Sequence, residues 1–200
     1  MSAESVALAI EVRPPPRPRP KVVADGVMGM LLFVFTEAML FAGMISAHVI
    51  VRSRSAGMMW PPYGQPRLPV VETAFNTGAL LASGVVLAMA HLAFRSGSAK
   101  AASLVLVSAL LGAVFVVFQG VEWAALIREG LTLQSSSYGS FFYLIVGTHA
   151  LHAVAALGGL AWAWSGLRRG RLTASQLGTV EVLWYFVVLV WPFLYARVYL

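Results

Sequence analysis

Four histidines and eight carboxylates are what this 200-residue chain offers for proton or metal chemistry. With no cysteine it forms no disulfide, thiolate nucleophile, Cys-ligated zinc, iron–sulfur cluster or c-type haem linkage. Any metal must be held by His and carboxylates. His149 and His152 are three apart and share one face of a helix, and Gln119 and Glu122 repeat that spacing elsewhere. Glu37 stands in a long apolar stretch, about 15 Å from its start at helical rise. A carboxylate at that depth in hydrocarbon costs on the order of 3 kcal/mol. Glu37 is therefore expected to be neutral or hydrogen-bonded inside protein, either locking two helices together or exchanging protons. By the same rise His152 and Glu37 lie about 20 and about 21 Å from the matching ends of their stretches. A Glu37–His152 or Glu37–His149 interhelical hydrogen bond is expected.

The remaining polar groups fit other templates poorly. A di-iron carboxylate bundle needs Glu-x-x-His motifs, and the sequence has none. A bis-His haem needs opposed histidines at one depth, whereas His91 and His149 differ by roughly 7–8 Å. His48 and His91 sit towards opposite ends of their stretches and are read as core hydrogen-bonding groups. No phosphate-binding glycine loop, nucleophile elbow or His-Glu-x-x-His helix is present, so soluble-enzyme chemistry is not indicated. Glu72 and Glu181 fall within the first five residues of their stretches, where a carboxylate reaches headgroup water or favours the positive helix end. Arg197 can snorkel to the surface.

The elements that must position these groups are set by hydropathy. Apolar residues make up 59% of the chain and charged ones 11%, with mean hydropathy +0.79, far from a soluble domain at about 25% charged. The chain reads as an all-α membrane protein, a five-transmembrane-helix bundle with spans at 27–51, 71–94, 101–127, 139–165 and 177–200. Each is long enough to cross about 30 Å of hydrocarbon. Backbone amides cannot stay unpaired in lipid, so such spans must be helical. Residues 1–26 form a separate Pro/Arg-rich arm of polyproline II composition, expected to be mobile at the membrane surface. Its basic run leads straight into a span, unlike a cleaved signal peptide.

Of the 14 Lys and Arg, nine fall on the side of the N-terminal arm and five on the other. The positive-inside rule places the N-terminus in the cytoplasm and the C-terminus outside. The excess charge thus reports orientation, and no nucleic-acid partner is indicated. Arg52, Arg54 and Arg67 border the outer surface, and Arg95, Lys100, Arg168, Arg169 and Arg171 the inner one. All are candidates for lipid headgroups. Spans two and four are dense in small residues, which let backbones approach closely in lipid. Most of the helix contact is expected there.

The motifs, taken in order, resemble subunit III of the haem–copper respiratory oxidases over about residues 27–200. Thr36-Glu37-Ala38-Met39-Leu40-Phe41-Ala42-Gly43 is similar to the family's S-E-x-x-F-F-A-G. Trp60-Pro61-Pro62, Asn76-Thr77 and Leu80-Leu81-Ala82-Ser83-Gly84 follow, and Gln119-Gly120-Val121-Glu122-Trp123 resembles Q-x-x-E-[YW]. Tyr138-Gly139-Ser140-Phe141-Phe142 and Gly147-Thr148-His149-Ala150-Leu151-His152 resemble Y-G-S-x-F-[FY] and G-F-H-G-x-H, and the last span ends in Val190-Trp191 and Phe193-Leu194-Tyr195. Two positions depart: Tyr185 and Val188 stand where the family has a histidine and an aspartate.

The resemblance, to the short five-helix form, implies a non-catalytic subunit of an inner (plasma) membrane complex. No cofactor would be bound by this chain. Haem and copper would lie in partner subunits, and subunit I would be the direct neighbour, with subunit II, cytochrome c and structural phospholipids in the complex and a respiratory supercomplex around it. Dioxygen would be reduced to water in subunit I with electrons from cytochrome c, while this chain stabilises that subunit, holds lipids and supports proton uptake. Glu37 would be the family's buried carboxyl, and His149, His152, Glu122 and Gln119 its polar interior. The departures leave a quinol oxidase or nitric oxide reductase component open. A self-contained b-type cytochrome and a proton transporter built on Glu37 are more remote alternatives.

Overall fold

The computed structural model describes residues 23–54 and 60–200. The Pro/Arg-rich arm therefore falls, up to residue 22, outside the described residues. Five α-helices follow one another: α1 Asp25–Arg54, α2 Val70–Arg95, α3 Lys100–Arg128, α4 Ser137–Arg168 and α5 Ala174–Leu194. Among the described residues these five are long and apolar enough to cross a membrane. Their ends lie beyond the apolar stretches and carry Asp25, Arg54, Arg95, Lys100, Arg128 and Arg168, charges that suit headgroup depth better than hydrocarbon.

Local signals set the boundaries. Ser136 caps α4 by accepting from the Gly139 amide, and Thr173 with Gln176 forms a reciprocal capping box on α5. Such caps satisfy amides that the first turn leaves free. After α2 and α3 the chain turns at Gly97 and Gly130, both at positive φ. There Ser98 N donates to Ala93 O at 2.9 Å and Leu131 N to Leu126 O at 2.9 Å, the closure that ends a helix at a left-handed glycine. Within α5, Pro192 removes one helical donor, and three residues later the chain widens into a π-helical turn, Tyr195–Tyr199.

Packing centres on α5. It touches α4, α1 and α2, while α2 packs most extensively on α3 and α3 on α4. Half of the apolar window of α5 is buried, against 11% for α1. The expectation of most contact in spans two and four holds for span two, which shares the most extensive pairing, with α3, but the most fully buried helix is α5 and not span four. Glycines on neighbouring helices are holes that receive large side chains of α5. A Cβ at Gly112 on α3 would collide with the Trp184 indole, and one at Gly84 on α2 would lie 3.0 Å from Val188. Trp184, Trp191 and Leu177 are fully buried.

Hydrogen bonds pin the same layer. Ser83 and Ser108 each donate to the other's carbonyl at 2.9 Å, tying α2 to α3. Trp184 Nε1 donates to Ser83 Oγ at 3.0 Å, Trp191 Nε1 to Thr77 Oγ1 at 2.8 Å, and Asn76 Nδ2 to Phe115 O at 3.0 Å. In contrast α1 buries only a stripe of Phe41, Ile45 and His48, leaving Leu32, Phe35 and Met39 uncovered by the other described residues.

Gly112→Ala is expected to destabilise the bundle by about 1–3 kcal/mol through overpacking against Trp184. Gly158→Ala, where an added Cβ meets nothing within 4 Å, serves as the control, both read by thermal unfolding in detergent.

Candidate functional site

Three polar groupings occupy the interior, each joining different helices. In the first, Glu37 on α1 meets His152 on α4, with Oε2 and Nε2 3.1 Å apart and side chains 18% and 11% exposed. His149, one turn earlier, is not the partner. The other ring nitrogen of His152, Nδ1, lies 2.8 Å from the Thr148 carbonyl. A carbonyl only accepts, so Nδ1 carries the hydrogen. The Nε2–Oε2 contact then holds one proton, either on the carboxyl beside a neutral imidazole or on the imidazole beside a carboxylate. Phe33, Phe41 and Phe186 surround the His152 ring with centroids 5.8–6.2 Å away. Aromatic rings thus pack around the imidazole end of the pair.

In the second, His91 on α2 meets Glu181 on α5, Nδ1 to Oε2 2.7 Å. Glu181 is 5% exposed, and its Oε1 has no hydrogen-bond partner among the described residues. The expectation that Glu181 sits at the interfacial end of its helix is thus corrected. Helix α5 starts at Ala174 rather than 177, so Glu181 lies about two turns in and faces α2. Sequence reasoning placed His91 and Glu181 towards the same side of the membrane without pairing them. Their matched depth, near the last turns of α2 and the first turns of α5, was the signal available.

The third grouping is at the opposite end. Glu122 Oε2 accepts from Thr73 Oγ1 at 3.0 Å and from Gln119 Nε2 at 2.9 Å, and Gln119 Nε2 also donates to Tyr199 OH at 2.9 Å. The i, i+3 pair on α3 is therefore one face, as its spacing requires. Thr73 and Tyr199 were not foreseen. The π-helical turn after Pro192 is what brings Tyr199 there.

His149 stands apart, 1% exposed, its ring 4.9 Å from Trp191 and near Phe41 and Phe115. Neither ring nitrogen has a partner among the described residues, and its role in this geometry is packing. His48 is likewise buried, between Trp60 and Phe141. Among the described residues no group of three or more His, Cys, Asp or Glu is placed to hold a metal ion. Glu72 is exposed at the start of α2. Arg52, Arg54, Arg67, Arg95, Arg168 and Arg169 are all exposed near helix ends, with Arg168 stacked over Trp164 at 5.3 Å. Val188 is an apolar knob over Gly84. Tyr185 is half-buried one turn after Glu181.

Comparisons with known proteins agree in direction. The family model described as "Cytochrome c oxidase subunit III" matches residues 19–200. A probable cytochrome c oxidase subunit 3 of Nocardia farcinica is 31% identical, covering 90% of this chain and 89% of that one. Cytochrome c oxidase subunit 3 of Arabidopsis thaliana is 36% identical over 90% of this chain and 70% of its own length, and that of Allomyces macrogynus 32% identical over 90% and 68%.

For the His91–Glu181 pair, His91→Ala is expected to lower stability by about 1–3 kcal/mol because it leaves the buried Glu181 carboxyl unmatched, and Glu181→Ala by less, because the His91 side chain is 38% exposed and can turn to solvent. The double replacement His91→Leu with Glu181→Leu should recover most of that loss. Detergent melting curves of the three variants test the coupling, and additive losses would show that the two residues act independently.

Proposed function

From the premise that this chain belongs to the cytochrome c oxidase subunit III family, and is a subunit III of a respiratory haem–copper oxidase, we propose that it supports catalysis without carrying it out. Dioxygen is reduced to water in the neighbouring subunit I with electrons from cytochrome c. This chain stabilises that neighbour through many turnovers, keeps lipids in place and helps sustain proton uptake. Haem and copper belong to partner subunits. The N-terminus faces the cytoplasm and the C-terminus the outside, as the distribution of Lys and Arg favours. The membrane is the inner (plasma) membrane.

The observation that carries the proton-linked part is the one-proton contact between Glu37 and His152. It sits on α1, the helix least buried among the described residues, beside apolar side chains such as Leu32, Phe35 and Met39 that the other described residues leave exposed. A large uncovered apolar face next to a buried acid–base pair suits a helix that borders another protein in the membrane. Protonation of Glu37 against His152 then moves charge near that border without exposing it to lipid. The arginines at the helix ends suit anionic headgroups, which is the basis of the lipid-holding role.

Removing this subunit from the purified complex is expected to leave the haem spectrum and the initial turnover rate intact while the enzyme loses activity within fewer catalytic cycles. Unchanged activity over prolonged turnover would remove the supporting role. Glu37→Gln keeps the hydrogen-bonding shape and abolishes ionisation, so it is expected to slow proton uptake in reconstituted vesicles with assembly unaffected. Wild-type uptake by Glu37→Gln together with impaired assembly of Glu37→Ala would make the carboxyl structural only.

A further inference from the structure

Between α3 and α4, against α5, lies a cavity of about 160 Å³. Phe115 and Trp191 give it apolar walls, and Gln119, Trp123 and His149 are the polar side chains that line it. Among the described residues six side-chain nitrogen or oxygen atoms are buried without a hydrogen-bond partner, and four of the six belong to these three residues: Gln119 Oε1, Trp123 Nε1 and both ring nitrogens of His149. Buried polar atoms are rarely left unmatched, because each then carries its full desolvation cost. Four of them around one cavity point to a shared ligand.

Helical spacing brings the three together. Gln119 and Trp123 are four apart on α3 and share a face, while α4 supplies His149 from across the cavity, its ring packed 4.9 Å from Trp191. Gln119 gives Nε2 to Glu122 and to Tyr199, which leaves its carbonyl oxygen unused. That oxygen only accepts, the Trp123 indole only donates, and a neutral imidazole offers one N–H and one lone pair. The four atoms therefore present two donors and two acceptors. A cation would meet only the acceptors and an anion only the donors, and either charge is costly among hydrocarbon. An acyl chain would meet none of them. Water donates and accepts, and it needs about 10–15 Å³ of space and two to four polar partners.

We propose that this cavity is an internal water site. A small cluster of ordered waters accepts from Trp123 Nε1, donates to Gln119 Oε1 and does both with the His149 imidazole. Against protein atoms alone His149 only packs; through the waters it becomes a hydrogen-bonded group. Gln119 already belongs to the grouping with Glu122 and Tyr199. The waters extend that grouping from the last two turns of α3 to His149, about one turn along α4 from His152. The polar array ends at Phe41, whose ring lies 6.4 Å from that of His149 and 5.8 Å from that of His152, and which keeps it apart from the Glu37–His152 contact. The inference concerns this chain's own interior and does not rest on its proposed support of catalysis.

The test is radiolytic hydroxyl-radical labelling of the purified membrane complex, read by mass spectrometry. Radicals form from water in place, so a side chain beside bound water is oxidised even inside a membrane bundle. Trp123 is expected to be labelled several times faster than Trp184, which is fully buried and bonded to Ser83. A Cβ at Gly120, which lines the cavity beside Ala150, would meet nothing within 4 Å, so the cavity is open on that side. Ala150→Leu should fill it from there and bring the labelling of Trp123 down to the level of Trp184. His149→Phe, which removes two of the four polar atoms, should do the same. Labelling of Trp123 no faster than that of Trp184, or indifferent to either change, would overturn the proposal. A density map of the complex that resolves ordered water identifies the occupant directly. Water peaks within hydrogen-bond distance of His149 and Trp123 would support the site, whereas a partner's side chain or a lipid chain in the cavity would overturn it.

Discussion

Trp184 standing in the gap left by Gly112 holds this bundle together. In lipid there is no hydrophobic effect to press helices against each other, so association depends on close packing and on satisfying polar groups. The indole does both at once. Its ring occupies the space a Cβ on α3 would need, and its N–H reaches Ser83 on α2, itself bonded to Ser108 on α3. Three helices meet at one side chain. The order of packing follows: α2 and α3 form a tight pair, α5 seats its large side chains in their small-residue hollows, and α4 closes over α5 from the other side.

The polar interior obeys the same constraint. A buried charge or hydrogen-bonding group in hydrocarbon is tolerated when protein partners receive it, and each carboxylate facing the core is received by a neighbouring helix. Glu37 meets α4, Glu181 meets α2, and Glu122 is held by Thr73 and Gln119. The first two pairings place an imidazole against a carboxyl, an arrangement in which a proton can change hands at little cost in net charge. One lies at the thinly covered helix α1 and the other towards the loop ends of α2 and α5. The first thus stands on the helix least buried among the described residues, while the second fastens α2 to α5.

Much of this was legible before any coordinates. Hydropathy located five helices, and depth arithmetic along straight helices brought Glu37 level with His149 and His152. It could not choose between the two histidines, because rise fixes depth and says little about which way a face turns once α1 has docked. Only the packing of Phe41 between the two imidazoles assigns Glu37 to His152 and leaves His149 to Trp191. Glu181 was misplaced for a related reason: the apolar stretch starts at Leu177, but the capping box at Thr173 starts the helix earlier. The stripes of glycine and alanine were real signals of close approach, yet they marked the hollows and not the knobs, which α5 supplies.

What the sequence by itself determined is the set of helices, their approximate depth in the membrane and the family to which the ordered motifs point. Those follow from local chemistry, since backbone hydrogen bonding in lipid forces helices and 1.5 Å per residue fixes level. What only the tertiary structure decided is which face of each helix meets which neighbour. That choice sets His152 against Glu37 and His149 against Trp191, draws Tyr199 to Gln119 through the turn after Pro192, and opens a groove between α2 and α3. The rotation of a helix about its axis is set by all its neighbours together, and no single stretch of sequence contains it.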